Sequence, residues 1–185
     1  MRYVILLLVI FLASCHGVPM NGAGVYPAEI RSFEELGNFP VSAAGYIRGK
    51  MYAYEPGMIN YSVAYDIHNP EIQNSVTLYF YEAPISLMDL FEMEKQNIAR
   101  AHGDARLLRQ YSTALEKDGV SYQAYVATFS FSGVFARRKQ NLFSQLMVVS
   151  HPARFFKLRS TAPIDHAELV EARNLQLLDA VNWAY

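Results

Sequence analysis

At 185 residues, with 52% hydrophobic and 18% charged side chains, the chain can fill the core of one domain and is too short for two comfortable ones. A formal charge of −1 gives no electrostatic footprint for nucleic acid, which is excluded as the main partner. The 13 tyrosines and 11 phenylalanines suit strands with one half-wet face better than a helical bundle.

The chain opens with Arg2, an uncharged apolar run from Tyr3 to Leu12, and the small residues Ala13 and Ser14. That is the three-part plan of an export signal, assigned to residues 1–14. The run covers about half of the ~20 residues that a helix needs to cross a ~30 Å hydrocarbon core, so a permanent span is the poorer reading. Without the signal, 15 basic residues face 17 acidic ones. Cys15 is the single cysteine, so no internal disulfide forms even in an oxidising compartment.

Leu12-Ala13-Ser14-Cys15 resembles the lipobox of bacterial lipoproteins, in which an aliphatic residue and two small ones precede a cysteine that is lipidated and becomes the mature N-terminus. The resemblance implies that Cys15 carries the lipid and that the bilayer is a partner. It also implies that the protein belongs to the cell envelope, with His16 in place of aspartate favouring the periplasmic leaflet of the outer membrane in a Gram-negative organism. Each buried methylene contributes ~0.8 kcal/mol, so two or three acyl chains anchor stably where one does so only marginally. Release as a soluble protein by ordinary signal peptidase, an uncleaved apolar anchor, or chance hydrophobicity are the alternatives.

Residues 15–44 read as the lipidated N-terminus and a flexible tether. "HGVPMNGAGVYP" is punctuated by Gly17, Gly22, Gly24, Pro19 and Pro27, and no hydrophobic period survives across it. "IRSFEEL" offers one helical turn before Gly37 and Pro40. Fully extended, such a tether reaches at most about 100 Å. The folded domain is expected over 45–185.

Two-residue alternation then begins. "GYIRGKMYAY" and "INYSVAYDI" flank Pro56-Gly57 as a hairpin, with Tyr61, Val63, Tyr65 and Ile67 on one face. "SVTLYFYEA" follows, with Val76, Leu78 and Phe80 opposite Thr77, Tyr79 and Tyr81. After Pro84 the period changes: Ser86 with Asp89 forms a capping box, and Leu87, Leu90, Phe91, Glu94, Ile98 and Ala101 fall at helical spacing, with Glu94 alone out of character. The helix is expected to stop at Gly103. Alternation resumes in "ARLLRQYSTALEKDGVSYQAYVATFSFS", turning at Asp118-Gly119, with Tyr125, Ala127, Phe129 and Phe131 as a buried row. A second turn in "GVFARRKQN" leads to "LFSQLMVVS", and His151-Pro152 separates it from "RFFKLRST". A last helix is predicted from Asp165, with Glu168 as its capping partner and Leu169, Val170, Leu177, Leu178 and Val181 as its apolar side.

Three strands, a helix, four strands and a helix make an α+β protein: a mainly antiparallel sheet of about six to seven strands covered by two amphipathic helices. The order, together with the basic-aromatic "FFKLR" strand before the last helix, resembles the Mog1/PsbP-like α/β/α sandwich over residues 45–185. That resemblance implies an accessory or binding protein without a shared catalytic site.

Candidate chemistry is sparse. Asp66 and His68 share one strand face and could form an oriented imidazole or two metal ligands, though a solvated strand end explains them as well. His102 is accounted for by the C-terminal dipole of the helix before it, and no His-x-x-x-His spacing, nucleophile elbow, Walker loop or dinucleotide fingerprint is present. No catalytic residue, metal or cofactor is expected. Arg137, Arg138 and Lys139 form the densest positive cluster, in a hairpin loop, and Lys157 and Arg159 alternate on a neighbouring strand that could extend it into one patch, though a solvated loop and an edge strand protected by charge explain the same residues more simply. Tyr46, Tyr52, Tyr54, Tyr79 and Tyr81 could line a sheet face with their hydroxyls outward, though burial under a helix better accounts for most of them. Three functions remain open: a non-enzymatic envelope lipoprotein docking onto an envelope protein, a binding module for a glycan or anionic headgroup, and an envelope hydrolase.

Overall fold

The computed structural model describes residues 27–30, 39–55, 60–69, 71–152 and 154–183. Within them a nine-stranded sheet is built from β1 (Ala28–Glu29), β2 (Ser42–Ala43), β3 (Tyr46–Ala53), β4 (Tyr61–His68), β5 (Gln73–Tyr81), β6 (Arg106–Lys117), β7 (Val120–Phe135), β8 (Arg138–His151) and β9 (Arg154–Pro163), with α1 (Leu87–Ala101) and α2 (Ala167–Ala180). The spatial order is β1-β3-β4-β5-β9-β8-β7-β6, with β2 also on β3. Every pairing is antiparallel. Two meanders, β3–β5 and β6–β9, therefore join where β9 lies beside β5, and α1 is the crossover that carries the chain from one to the far edge of the other. This is the α+β class expected from the element order, with nine strands rather than six to seven because the two-residue strands β1 and β2 add to the β3 edge from the segment read as tether.

One helix covers each face, because strand alternation sends apolar rows both ways. On one face Val63, Tyr65, Val76, Leu78, Val126, Met147, Phe156 and Leu158 pack under Val170, Leu177 and Leu178 of α2. On the other, Ala127, Phe129, Leu146 and Val148 pack under Leu90, Phe91 and Ile98 of α1. Of the predicted row, Ala127, Phe129 and Phe131 are buried and Tyr125 is half-buried, while Tyr122, Ala124 and Val126 of the opposite row are buried as well. β7 and β8 are thus central strands with both faces covered.

The two helices are held differently. The Ser86 side chain accepts the Asp89 N–H at 3.1 Å and α1 ends at His102, whose N–H returns to the Ile98 carbonyl. Helix α2 departs from expectation. A 3-10 turn over Ile164–His166 precedes it, and no side chain caps it, so the Asp165–Glu168 box does not form. The C-terminal end of α2 is pinned by residues just beyond it. Val181 is buried, and Trp183 donates Nε1–H to the Leu178 carbonyl at 2.9 Å while stacking on Phe156 at 5.3 Å. Leu169, assigned to the apolar side, is exposed, and Asn174 occupies the buried stripe instead.

The domain also begins earlier than expected. Ala28 pairs with Ala53, Phe39 is buried against Tyr61 and Phe80, and Arg48 donates to the Phe39 carbonyl. Residues 27–30 and 39–44 belong to the sheet edge rather than to a free tether. Cys15, the signal segment and most of "IRSFEEL" lie outside the described residues.

Candidate functional site

The β7–β8 hairpin outruns its neighbours. The last β9 pairing is Leu142 with Pro163, and β6 starts at Arg106 opposite Ser130. Beyond that level the hairpin is a two-stranded ribbon extending roughly 16 Å at ~3.3 Å per residue. Its turn is made by Ala136 and Arg137 at φ 49 and 65, the left-handed pair that matches strand twist. Neither residue is glycine, so the conformation costs about 1 kcal/mol or more at each. At the base, Gly133 admits Leu142: a Cβ there would stand 2.7 Å from the Leu142 Cδ1. The base is also tied to the loop after α1, since Ser132 N–H donates to Asp104 Oδ2 at 2.9 Å. That bond holds the Asp104 carboxyl below its usual range.

At the tip, Arg137, Arg138 and Lys139 are all exposed, and Val134 beside them is 69% exposed. Three adjacent cations on a projecting ribbon with an apolar residue form a compact surface for an anionic partner.

Lys157 and Arg159 do not join this patch. They sit opposite Val148 and Leu146, seven to nine residues along β8 from Lys139, or roughly 23–30 Å. Lys157 is buried: its Nζ lies 2.9 Å from Glu94 Oε1 of α1 and 4.1 Å above the Tyr79 ring. Arg159 is half-buried on the same face. Burial, followed by the nearby Arg159 charge, pushes the pKa of His102 down, and that imidazole stacks on Phe131 at 3.7 Å. The spacing rule that put Lys157 and Arg159 on one face held. Their distance from the hairpin tip depended on strand register, which alternation does not encode.

The tyrosines divide between the faces. Tyr46 is fully buried on the α2 side, with a hydroxyl that donates to Asn174 Oδ1 at 2.9 Å and accepts from Asn74 Nδ2 at 2.6 Å. Desolvation pushes its pKa up to about 12. Tyr54 and Tyr79 stack at 6.5 Å on the other face, and the Tyr54 hydroxyl meets that of Ser62 at 2.9 Å. At the opposite end of β3 and β4, Gly45, Ile47, Arg48, Gly49, Asp66, His68 and Asn69 line an open depression of 340 Å³. Asp66 and His68 do share it, as their alternation requires. Among the described residues no group of three or more His, Cys, Asp or Glu could hold a metal ion, and no helix is long and apolar enough to cross a membrane.

No family model and no curated protein matches the sequence. Among solved structures the chain is similar to the Pseudomonas aeruginosa protein of unknown function PA94, at TM-score 0.50 and 10% identity, over 81% of this chain and 94% of that one. At that identity the likeness is one of fold.

Proposed function

We propose that this chain is a lipid-anchored protein of the bacterial envelope, held through Cys15, whose domain docks onto an acidic envelope protein through the β7–β8 tip. We read its architecture as the Mog1/PsbP-like sandwich, a reading supported by the single helix on each face of the antiparallel sheet. One observation carries the docking role: three exposed cations stand together on a ribbon that projects past both neighbouring strands.

The tether's length supports a partner close to the membrane. From Cys15 to Ala28, the first residue on the sheet, the chain spans at most about 45 Å. A single row of paired residues, Ala28-Ala53-Tyr61-Phe80-Phe156-Val149-Ala124, runs from that point to β7. The tip lies a further ~40 Å along β7, clear of the tether. In a Gram-negative cell we assign the periplasmic leaflet of the outer membrane, since His16 stands where an inner-membrane signal would be aspartate.

Two measurements test the reading. Cys15→Ser should abolish labelling by a clickable fatty acid, and retained label refutes the anchor. In intact envelopes, Arg137→Glu with Arg138→Glu should reduce crosslinking to one recurrent protein neighbour. Unchanged capture, or no recurrent neighbour, refutes the docking tip.

A further inference from the structure

Strand β6 closes the sheet on the side away from β1, and among the described residues its single neighbour is β7. It is 12 residues long, and nearly all of them are exposed. An open strand edge of that length presents a row of backbone donors and acceptors that another strand can complete. Soluble proteins commonly guard such edges with outward cations or a bulge. Here the bulge is displaced to one end, between Leu107 and Arg109, so the stretch from Arg109 to Lys117 stays regular. Two of the strand's three cations are also engaged by α2: Arg109 pairs with Glu171 at 2.6 Å, and Lys117 donates to the Asp179 carbonyl at 2.6 Å. Apolar groups take their place. Leu107 and Leu108 are about half exposed, Tyr111 is exposed beneath the Arg109 guanidinium, and Leu175 is exposed one helical turn beyond Glu171.

We propose that the β6 edge binds the β6 edge of a second copy of this chain, antiparallel and with Tyr111 on the twofold axis, so that two sheets become one. The choice of occupant rests on the strand's self-complementarity. A twofold axis normal to the sheet keeps each face continuous, so opposed residues must share a face. Tyr111 opposite itself meets that condition and brings Gln110 opposite Ser112 of the second copy and Arg109 opposite Thr113. Past the bulge, Leu107 falls beside Ala114 of the second copy and Arg106 beside Leu115. No two like charges oppose each other, and the exposed leucines meet small or apolar partners, as stable cross-strand pairs do. Moving the axis one pair along, to Ser112, would set Arg106 against Lys117. The inference is independent of the hairpin tip and of lipidation.

The full-length chain in detergent tests it. In a Cys15→Ser background, Tyr111→Cys places two thiols across the axis at the separation of directly opposed strand residues, ~5 Å between Cβ atoms, so mild oxidation should give a covalent dimer. Glu116→Cys, far from the axis in this register, should give no covalent dimer under the same oxidation. Because residue 113 is exposed in the monomer, Thr113→Lys leaves the fold intact while opposing Arg109 twice per dimer. Its dimer dissociation constant by sedimentation should rise about tenfold or more. A monomer by sedimentation at every concentration, linkage through position 116 rather than 111, or an unmoved Thr113→Lys constant would each overturn the proposal.

Discussion

The two faces of the sheet bury polarity in opposite ways. Under α2 the polar core is neutral. Asn174 accepts from Tyr46 and Asn74 at 2.9 Å and donates to Gln145 at 2.8 Å, while Ser160 donates to Asn74 at 2.9 Å. Under α1 it is charged: Lys157 and Glu94, each almost wholly buried, meet at 2.9 Å with the ammonium over Tyr79. The difference teaches how each helix is positioned. The amide network spreads its bonds over β3, β5, β8, β9 and α2, so no member carries a full charge if one bond fails. The ion pair concentrates the connection of α1 to β9 in one contact, where losing a partner strands an ion in the core.

The largest effect should come from breaking that contact. Glu94→Ala is expected to lower unfolding free energy in urea by about 3–5 kcal/mol, because Lys157 remains buried without its counter-ion. Glu94→Leu with Lys157→Met should recover most of the loss; a double variant as unstable as the single would show that packing, rather than charge, sets the cost. On the other face, Asn174→Leu should cost less, about 2–3 kcal/mol, since it leaves neutral groups unsatisfied. If the two faces cost the same in parallel melts, the contrast between them fails.

Alkaline titration sharpens the comparison, because the α2 face holds buried phenols. Burial raises Tyr46, and likewise Tyr65 whose hydroxyl bonds the Pro40 carbonyl, from 10.0 to about 12. Between those values the folded state holds protons that the unfolded chain has released, so stability present below pH 10 drains away as pH rises towards 12. Each tyrosine contributes on the order of 2 kcal/mol to that loss. Denaturation curves across this window should be steep for the native chain and shallower for Tyr46→Phe. The smallest effect concerns the helix starts. Ser86→Ala should destabilise by about 1 kcal/mol through loss of the α1 cap, whereas Asp165→Ala, which removes no capping bond from α2, should leave the melting temperature nearly unchanged.

Much of this was legible from residue order. The alternation of Tyr61, Val63, Tyr65 and Ile67, the Ser86 cap and the Asp118-Gly119 turn, now seen at φ 51 and 77, are local properties. Glu94 was visible as an anomaly on an apolar stripe and Lys157 as a charge inside "FFKLR". That they answer each other was not visible, because 63 residues separate them and only the placement of α1 across β9 makes them neighbours. Asn174 was missed for the same reason: amphipathic patterning treats an amide as outward, and its partners come from three distant strands. The Ala136-Arg137 turn lacked a glycine to announce its left-handed geometry.

By itself the amino-acid order determined the strand and helix periods, one capped helix start and a turn, because each depends on residues a few positions apart. Strand order, register and the coverage of each face belong to the tertiary structure alone. Those arise from which apolar rows find each other, and they decided that Lys157 is a core residue, that Arg137, Arg138 and Lys139 lie far along β8 from Lys157 and Arg159, and that among the described residues β6 has β7 alone beside it.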